Sequence, residues 1–395
     1  MRPRPTSTAR FSLPAFLLGT LAAFAGPTWA AASQDAKKPD QVYAKNRRTG
    51  AVSPVSGVVS ENGLEEVKVT AGERERDIDS KLVVRIVFGD VPPSYREASM
   101  YFDRGDFENA SAKFQLAAGD AATREVVQAA ARLRGAESLM RLGSADSGAF
   151  ERAATEAATF LADFPLNREV PSARMLQARA THLSGQAAGA ADLYRLIFRE
   201  AENETPSTGY TWSDCMRAGL RAGDAFLAAG DGDKARETFS ALDGAVLRVL
   251  GTLDEDSPER DTLLSIQAQS NLGEGWSLLA AGNASQAKTF FRAKLSNAGP
   301  ESLPALRFGS HLGLAESLLA EGEVRTAQLE FALVSALDHA DRDRAARALV
   351  GLARCALKTS DGEARTDARR WLQTVTDHYG DTPAVRAAQE MLSSL

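Results

Sequence analysis

Apolar residues alternate with polar ones in the first part of the chain and recur with a helical period in the rest. Between Gln41 and Asp90, Val and Ile fill every second position in short runs broken by Gly and Asn, the pattern of half-buried strands. Val42–Lys45 and Val52–Val59 read as strands on either side of an Asn46–Gly50 turn, the second interrupted by Pro54 and Gly57. Glu61-Asn62-Gly63 is a hairpin signal, with Glu65–Thr70 as its return strand. Ala71-Gly72 turns again, and Arg76–Ile78 and Leu82–Phe88 complete a meander of four or five strands. A sheet of this size is marginal alone, so the spacing predicts that it docks on the first helices. From Pro92 the period becomes 3.6. Pro92-Pro93-Ser94 reads as a helix start with Ser94 as cap and Glu97 three residues on.

The helical part repeats. A small residue is followed three positions later by a large apolar one, four later by Gly, five later by Ala and four later by an aromatic. The copies include Ala98, Tyr101, Gly105, Ala110 and Phe114; Gly223, Phe226, Gly230, Ala235 and Phe239; Gly275, Leu278, Gly282, Ala287 and Phe291; and Ala315, Leu318, Gly322, Ala327 and Phe331. Seven helix pairs follow, with turns near Gly105, Gly143, Gly185, Gly230, Gly282, Gly322 and Ser360–Gly362. Successive Gly turns are 38, 42, 45, 52 and 40 residues apart. Thr382–Leu395 reads as one capping helix opened by Asp381-Thr382-Pro383. Repetition on this scale means stacked hairpins, each touching its neighbours. The chemistry of close packing explains the pattern: small residues let helix backbones approach, and the aromatic fills the gap to the next pair.

These residues resemble the tetratricopeptide repeat (TPR). Ala98–Phe114 matches its core closely, Gly223–Phe239 and Ala315–Phe331 nearly so. The second copy is interrupted by Ser144–Gly148. The third keeps Ala178, Gly185, Ala190 and Tyr194, and the seventh keeps Ala353 and Ala368. The long spacing and the Phe164-Pro165 and Tyr379–Pro383 junctions are similar to exported bacterial members, although no lipobox Cys is present. The resemblance implies a mainly α, TPR-like solenoid of about seven hairpins plus a capping helix over residues 92–395. Residues 41–90 resemble, more loosely, SH3-like or Sm-like barrels. The resemblance further implies a concave groove for a protein or peptide, lined by the first helix of each pair. Carried over, its residues are Ser99, Phe102 and Asp103 in the first unit, then Glu137, Met140 and Arg141 in the second. Arg179 and His182 come from the third, Asp224 and Leu227 from the fourth, and Trp276 and Leu279 from the fifth. Glu316 and Leu319 follow, then Arg354 and Lys358. Trp276 is either a binding anchor or packing for the following helix, and Arg141 and Arg179 are either binding groups or partners of Glu137 or another acid. A lysine clamp for a C-terminal carboxylate is missing, since Tyr95, Leu133 and Met175 stand where basic residues would be needed.

Composition narrows the setting. Arg2, Arg4 and Arg10 precede an apolar stretch from Phe11 to Gly26 and small-residue cleavage patterns around Ala30, so residues 1–32 read as a signal peptide and 33–40 as a linker. The stretch is shorter than the ~20 residues a spanning helix needs, and no later one is apolar enough. The chain is therefore expected to be exported, periplasmic or secreted, with a peripheral envelope association open. Without the signal the net charge is about −9, which disfavours nucleic acid. Cys215 and Cys355 lie 140 positions apart and read as buried thiols rather than a bridge. His182, His311, His339 and His378 are scattered, the acidic Asp254–Asp256 and Asp261 lack the order of a calcium loop, and no phosphate-binding loop or nucleophile motif occurs. Neither metal nor cofactor is implied. The expectation is a non-catalytic scaffold in the bacterial envelope, with a glycan binder using the β domain as the alternative.

Overall fold

A computed structural model of the chain describes residues 38–202, 206–207, 209–299, 302–359 and 363–395. The signal peptide, most of the linker and the Ser360–Gly362 turn lie outside the described residues. Five strands come first: β1 (Asp40–Lys45), β2 (Val52–Asn62), β3 (Glu66–Ala71), β4 (Arg74–Asp79) and β5 (Val83–Val87). They form one antiparallel sheet in the order β4-β3-β2-β1-β5, with β4 and β5 as its edges. A 3₁₀ turn, Ser80–Leu82, joins those two strands. β2 runs further than its alternation suggests. Glu61 and Asn62 stay in the ladder opposite Lys68 and Val67, and the reversal falls on Gly63, whose N–H donates to Glu66 O at 3.0 Å. The predicted Glu61–Gly63 hairpin turn is therefore displaced, because a register shift between Val59 and Glu61 carries the strand onward. Pro54 is tolerated because the first half of β2 pairs with β1 alone. Gly57 is required by the crossing of β2 and β3: a Cβ there would lie 2.6 Å from Val69 Cγ1.

The helices follow in pairs: α1 (Pro93–Asp103) with α2 (Phe107–Gly119), α3 (Glu125–Leu142) with α4 (Gly148–Asp163), α5 (Val170–Leu183) with α6 (Ala187–Phe198), and α7 (Trp212–Ala228) with α8 (Gly232–Leu250). The fifth pair has a split first helix, α9 (Arg260–Ser270) and α10 (Gly273–Ala280), followed by α11 (Ala284–Asn297). Then come α12 (Pro304–Ala320) with α13 (Val324–Leu337), α14 (Arg342–Leu357) with α15 (Ala364–His378), and a single α16 (Ala384–Ser394). The fold is a TPR-like α-solenoid preceded by a small β domain. The repeated small and aromatic positions do what the spacing predicts. Ala98, Ala110 and Phe114 are fully buried, as are Ala315, Ala327 and Phe331. A Cβ on Gly223 would come within 2.4 Å of the Phe239 ring, so the smallest residue sits where the helices touch. Gly230, at φ 79°, makes the left-handed turn of its pair, whereas Gly143 at φ −56° does not. Gly143 is needed instead for proximity, with a Cβ there 2.2 Å from Phe150. At the start of α1 the cap is Pro92, with no side-chain hydrogen bond. Ser94 lies inside the first turn, its place as cap taken by Pro92. No helix among the described residues is long and apolar enough to cross a membrane, and both cysteines are buried, free thiols.

The sheet docks on the first helices, with Tyr95 of α1 packed against its core and α3 taking the larger share. Val42, Val59, Val67, Val69 and Val83 bury themselves against Val126 and Val127 at the start of α3. The β2–β3 turn reaches the α4–α5 connection, where Leu64 N–H donates to Leu166 O at 2.8 Å and Arg168 N–H to Asn62 O at 2.9 Å. The far end of the chain also departs from nearest-neighbour stacking. α16 caps α15 as expected, but it also returns onto the turns of the second and third pairs. Val385 is enclosed by Phe150, Leu183 and Met140. Gln389 Nε2 donates to Ser144 O at 2.9 Å and Arg386 Nη1 to Ser184 O at 3.2 Å. The array curls until its last helix meets the second and third pairs, so the open trough expected from the repeat becomes a closed ring.

Candidate functional site

The first helices of the pairs line the inside of this ring, and closure divides the inner surface. Asp381, in the connection before α16, accepts from Arg179 Nη2 of α5 at 3.0 Å and from Arg342 Nη2 of α14 at 2.9 Å. This two-armed bridge separates an inner cavity from a groove beside it. The groove, about 600 Å³, runs over α1, α3 and α5. Phe102, Met140, Arg141 and Arg179 line it, together with Arg134, Glu137, Met175 and Tyr210. The inner cavity, about 520 Å³, takes His182, Leu227, Trp276, Leu279 and Arg354, with Arg221, Asp224, Asp343 and Arg347 beside them and Pro383 and Ala384 of the returning segment also in its wall.

Four of the residues assigned to the groove lie elsewhere. Ser99 lines a separate space between α1 and β5, and Asp103 is exposed at the end of α1 and lines neither the groove nor the inner cavity. Leu319 is 2% exposed and belongs to the core with Leu318 and Phe331, because its helix turns that face toward the neighbouring pair. Lys358 is exposed at the end of α14 and lines neither space. Trp276 already has two partners: Phe291 of the following helix packs at 5.1 Å between centroids and the Arg347 guanidinium sits 4.4 Å from its centre. Its indole is thus part of the packing as well as of the cavity wall. Glu137 pairs with Arg134 at 3.1 Å rather than with Arg141, since Arg134 lies one turn back on the same helix and Arg141 projects from its exposed end. Burial raises the Glu137 carboxyl above the usual carboxylate range. Arg141 makes no ion pair among the described residues. Arg354 pairs with Glu316 at 2.8 Å.

Sequence reasoning missed Arg221, Asp343, Arg347 and Asp381. Arg221 and Asp224 are three apart on α7, so Arg221 could have been found from its neighbour's inward position. Asp343 and Asp381 carried no such signal, because they meet Arg221 and Arg179 only through closure. Among the described residues no three of His, Cys, Asp and Glu gather as a metal site.

Two groups lining the cavity have displaced pKa values, in opposite directions. The Asp224 side chain is 32% accessible and lines the inner cavity beside Arg221, Arg347 and Asp343. Burial raises its pKa from 3.8 to about 6, against the pull of Arg221 and Arg347 and with the push of Asp343 and Asp341. His182 is buried, its ring edge-on to Tyr194 and its Nδ1 without a hydrogen-bond partner. Burial first, then the Arg221 charge, lowers its pKa from 6.5 to about 4, opposed by Asp343. A raised acid pKa means the folded state holds the proton longer, so stability from Asp224 falls as pH rises from about 4 to about 6. A lowered imidazole pKa means the unfolded state binds the proton more, so stability from His182 rises with pH from about 4 to 6.5. The two slopes oppose one another. Asp224→Asn is therefore expected to make the melting temperature climb more steeply across that window, and His182→Asn to make it flatten or fall. Melts at half-unit pH steps check this, and parallel profiles for all three proteins would show that the cavity is open to bulk water.

No family model matches the chain, and no curated protein matches it. Among solved structures, a tetratricopeptide repeat protein from Parabacteroides merdae superposes with a TM-score of 0.45 at 15% identity, over 76% of this chain and 98% of that one.

Proposed function

We propose that this chain is a non-catalytic, exported scaffold that holds a segment of a partner protein in the groove over α1, α3 and α5, in the assembly or maintenance of the bacterial envelope. The observation that carries this reading is the groove itself. Three consecutive first helices supply an apolar floor from Phe102, Met140 and Met175, with Arg141 left without a carboxylate partner at its rim. An apolar floor with a few fixed charges suits a peptide, whose side chains need burial and whose orientation needs a polar handle. The inner cavity offers no comparable handle, since Arg221 and Arg354 there are paired with Asp343 and Glu316 and Arg347 lies on the Trp276 ring. The glycan alternative loses support at the sheet: Arg85 covers the Tyr43 ring at 4.1 Å, and the Arg124 guanidinium lies 5.8 Å from Phe88. Neither ring is a bare platform for a sugar.

A photo-crosslinking residue at Met140 in the full chain, expressed in its host, is expected to trap a discrete protein adduct, while the same probe at Trp276 traps none. Adducts at Trp276 alone, or at neither position, would sink the proposal. Mass analysis of the N-terminus and cell fractionation test the export part separately.

A further inference from the structure

We infer that β5 is a docking edge for an extended, acidic segment of a partner protein, which joins the sheet as a sixth strand. The two sheet edges are treated differently. β4 reads Arg74-Glu75-Arg76-Asp77-Ile78-Asp79, five charges in six residues, which discourages pairing with another chain. β5 reads Val83-Val84-Arg85-Ile86-Val87, four β-branched apolar residues in five, and Val84 and Val87 are 49% and 45% exposed. A strand of this composition left at an edge is a template for pairing unless something covers it.

Nothing among the described residues covers it. A cavity of about 930 Å³ lies between β5 and the helices α1 and α3. Val84, Arg85, Ile86 and Val87 all line that space. Side chains of successive strand residues point to opposite faces, so an unbroken run along one wall means the strand presents its edge there, not a face. Among the described residues, a side chain bonds to this strand only at its start, where Arg168 Nη1 donates to Val83 O at 3.3 Å. Beyond the strand, Met100 of α1 is 52% exposed beside the cavity and offers an apolar contact for one inward side chain of an added strand.

Charge selects the occupant. The carboxylates lining the cavity are already engaged, Glu137 by Arg134 and Glu169 by Arg168. Arg85 and Arg96 line it without an ion-pair partner among the described residues, Arg85 resting on the Tyr43 ring. An extended segment with alternating apolar and acidic residues satisfies both requirements, and a basic one satisfies neither. This inference is independent of the groove over α1, α3 and α5, although Arg134 and Glu137 border both spaces.

The test uses the full-length chain and a synthetic nine-residue peptide alternating valine with glutamate, alongside the same peptide with lysine for glutamate. The glutamate peptide is expected to slow hydrogen exchange of the amides at positions 84–87 and to bind about tenfold or more tightly than the lysine peptide. Arg85→Glu combined with Arg96→Glu, both exposed, should abolish that preference, and Val84→Glu should weaken the glutamate peptide without unfolding the sheet. No slowing at saturating peptide, or equal binding of both peptides, overturns the proposal. So does slowing that depends on protein concentration alone with a dimer seen by sedimentation, which would make the occupant a second copy. Because the readout sits on β5, its failure leaves the Met140 crosslinking result to be judged separately.

Discussion

Asp40→Ala is expected to destabilise the docked sheet by about 3–5 kcal/mol, because it leaves a half-buried charge and two backbone donors without their acceptor. Asp40 is 1% exposed and takes four hydrogen bonds. Arg124 Nη1 and Nη2 donate at 2.8 and 2.9 Å, Val59 N–H at 2.8 Å and Gly89 N–H at 2.8 Å. One carboxylate thus fixes the start of α3, the middle of β2 and the exit of β5 to the first residue of β1. Burial alone would raise the carboxyl's pKa, but the Arg124 hydrogen bonds, the two backbone N–H groups and the Arg124 charge together hold it below 3.8. The sign follows: the contribution is fully present above about pH 4 and is lost as pH falls through the depressed folded value. The variant should be less stable at neutral pH and show a shallower acid limb than the parent. Denaturant unfolding at pH 7 and pH 3, with hydrogen exchange to locate the loss, makes the check. An unchanged midpoint at pH 7 would show that the sheet is held by its valines alone. Asp40→Asn, which keeps the shape and removes the charge, separates the pairing from the packing.

The second large effect is expected at Val385. It is fully buried between Phe150 and Leu183, residues of the second and third pairs, and it anchors the returning α16. Val385→Asp places a carboxylate among these apolar groups and should cost about 3 kcal/mol or more at that contact. Val385→Ala, which only thins the packing, should cost about 1–2 kcal/mol. The aspartate variant is expected to release α16 and open the ring, with a larger radius of gyration by small-angle scattering and helix content unchanged. A second readout lies inside the cavity. Pro383 and Ala384 form part of the wall of the space holding His182, so their release should return the imidazole from about 4 toward 6.5, as followed by its NMR titration. A compact variant with an unmoved His182 would mean that closure rests on the Arg179–Asp381–Arg342 bridge instead.

The helical hairpins were legible because their determinants are local. A left-handed turn selects Gly230, a close helix crossing selects Gly223, and the aromatic at Phe239 fills the space between, all within one repeat. The strands were legible for the same reason, though the β2–β3 reversal moved to Gly63 because a register shift depends on the partner strand. Glu137 illustrates the limit at the groove: its helical face was readable, but Arg134 and Arg141 each lie about one turn from it, and spacing alone does not say which of them becomes its partner. Leu319 shows the same limit, since the adjoining position on a helix decides between groove and core by a rotation that spacing alone does not resolve.

The sequence by itself determined a β meander followed by seven α-hairpins and a last helix, with small and aromatic residues at the contacts, because each of those choices is settled by backbone geometry and burial within about forty residues. Only the tertiary structure decided that the array closes. Closure sums small rotations over every pair, and that sum brings Asp381 to Arg179, Asp343 to Arg221 and Val385 to Phe150, contacts between residues more than a hundred positions apart with no local pattern to announce them.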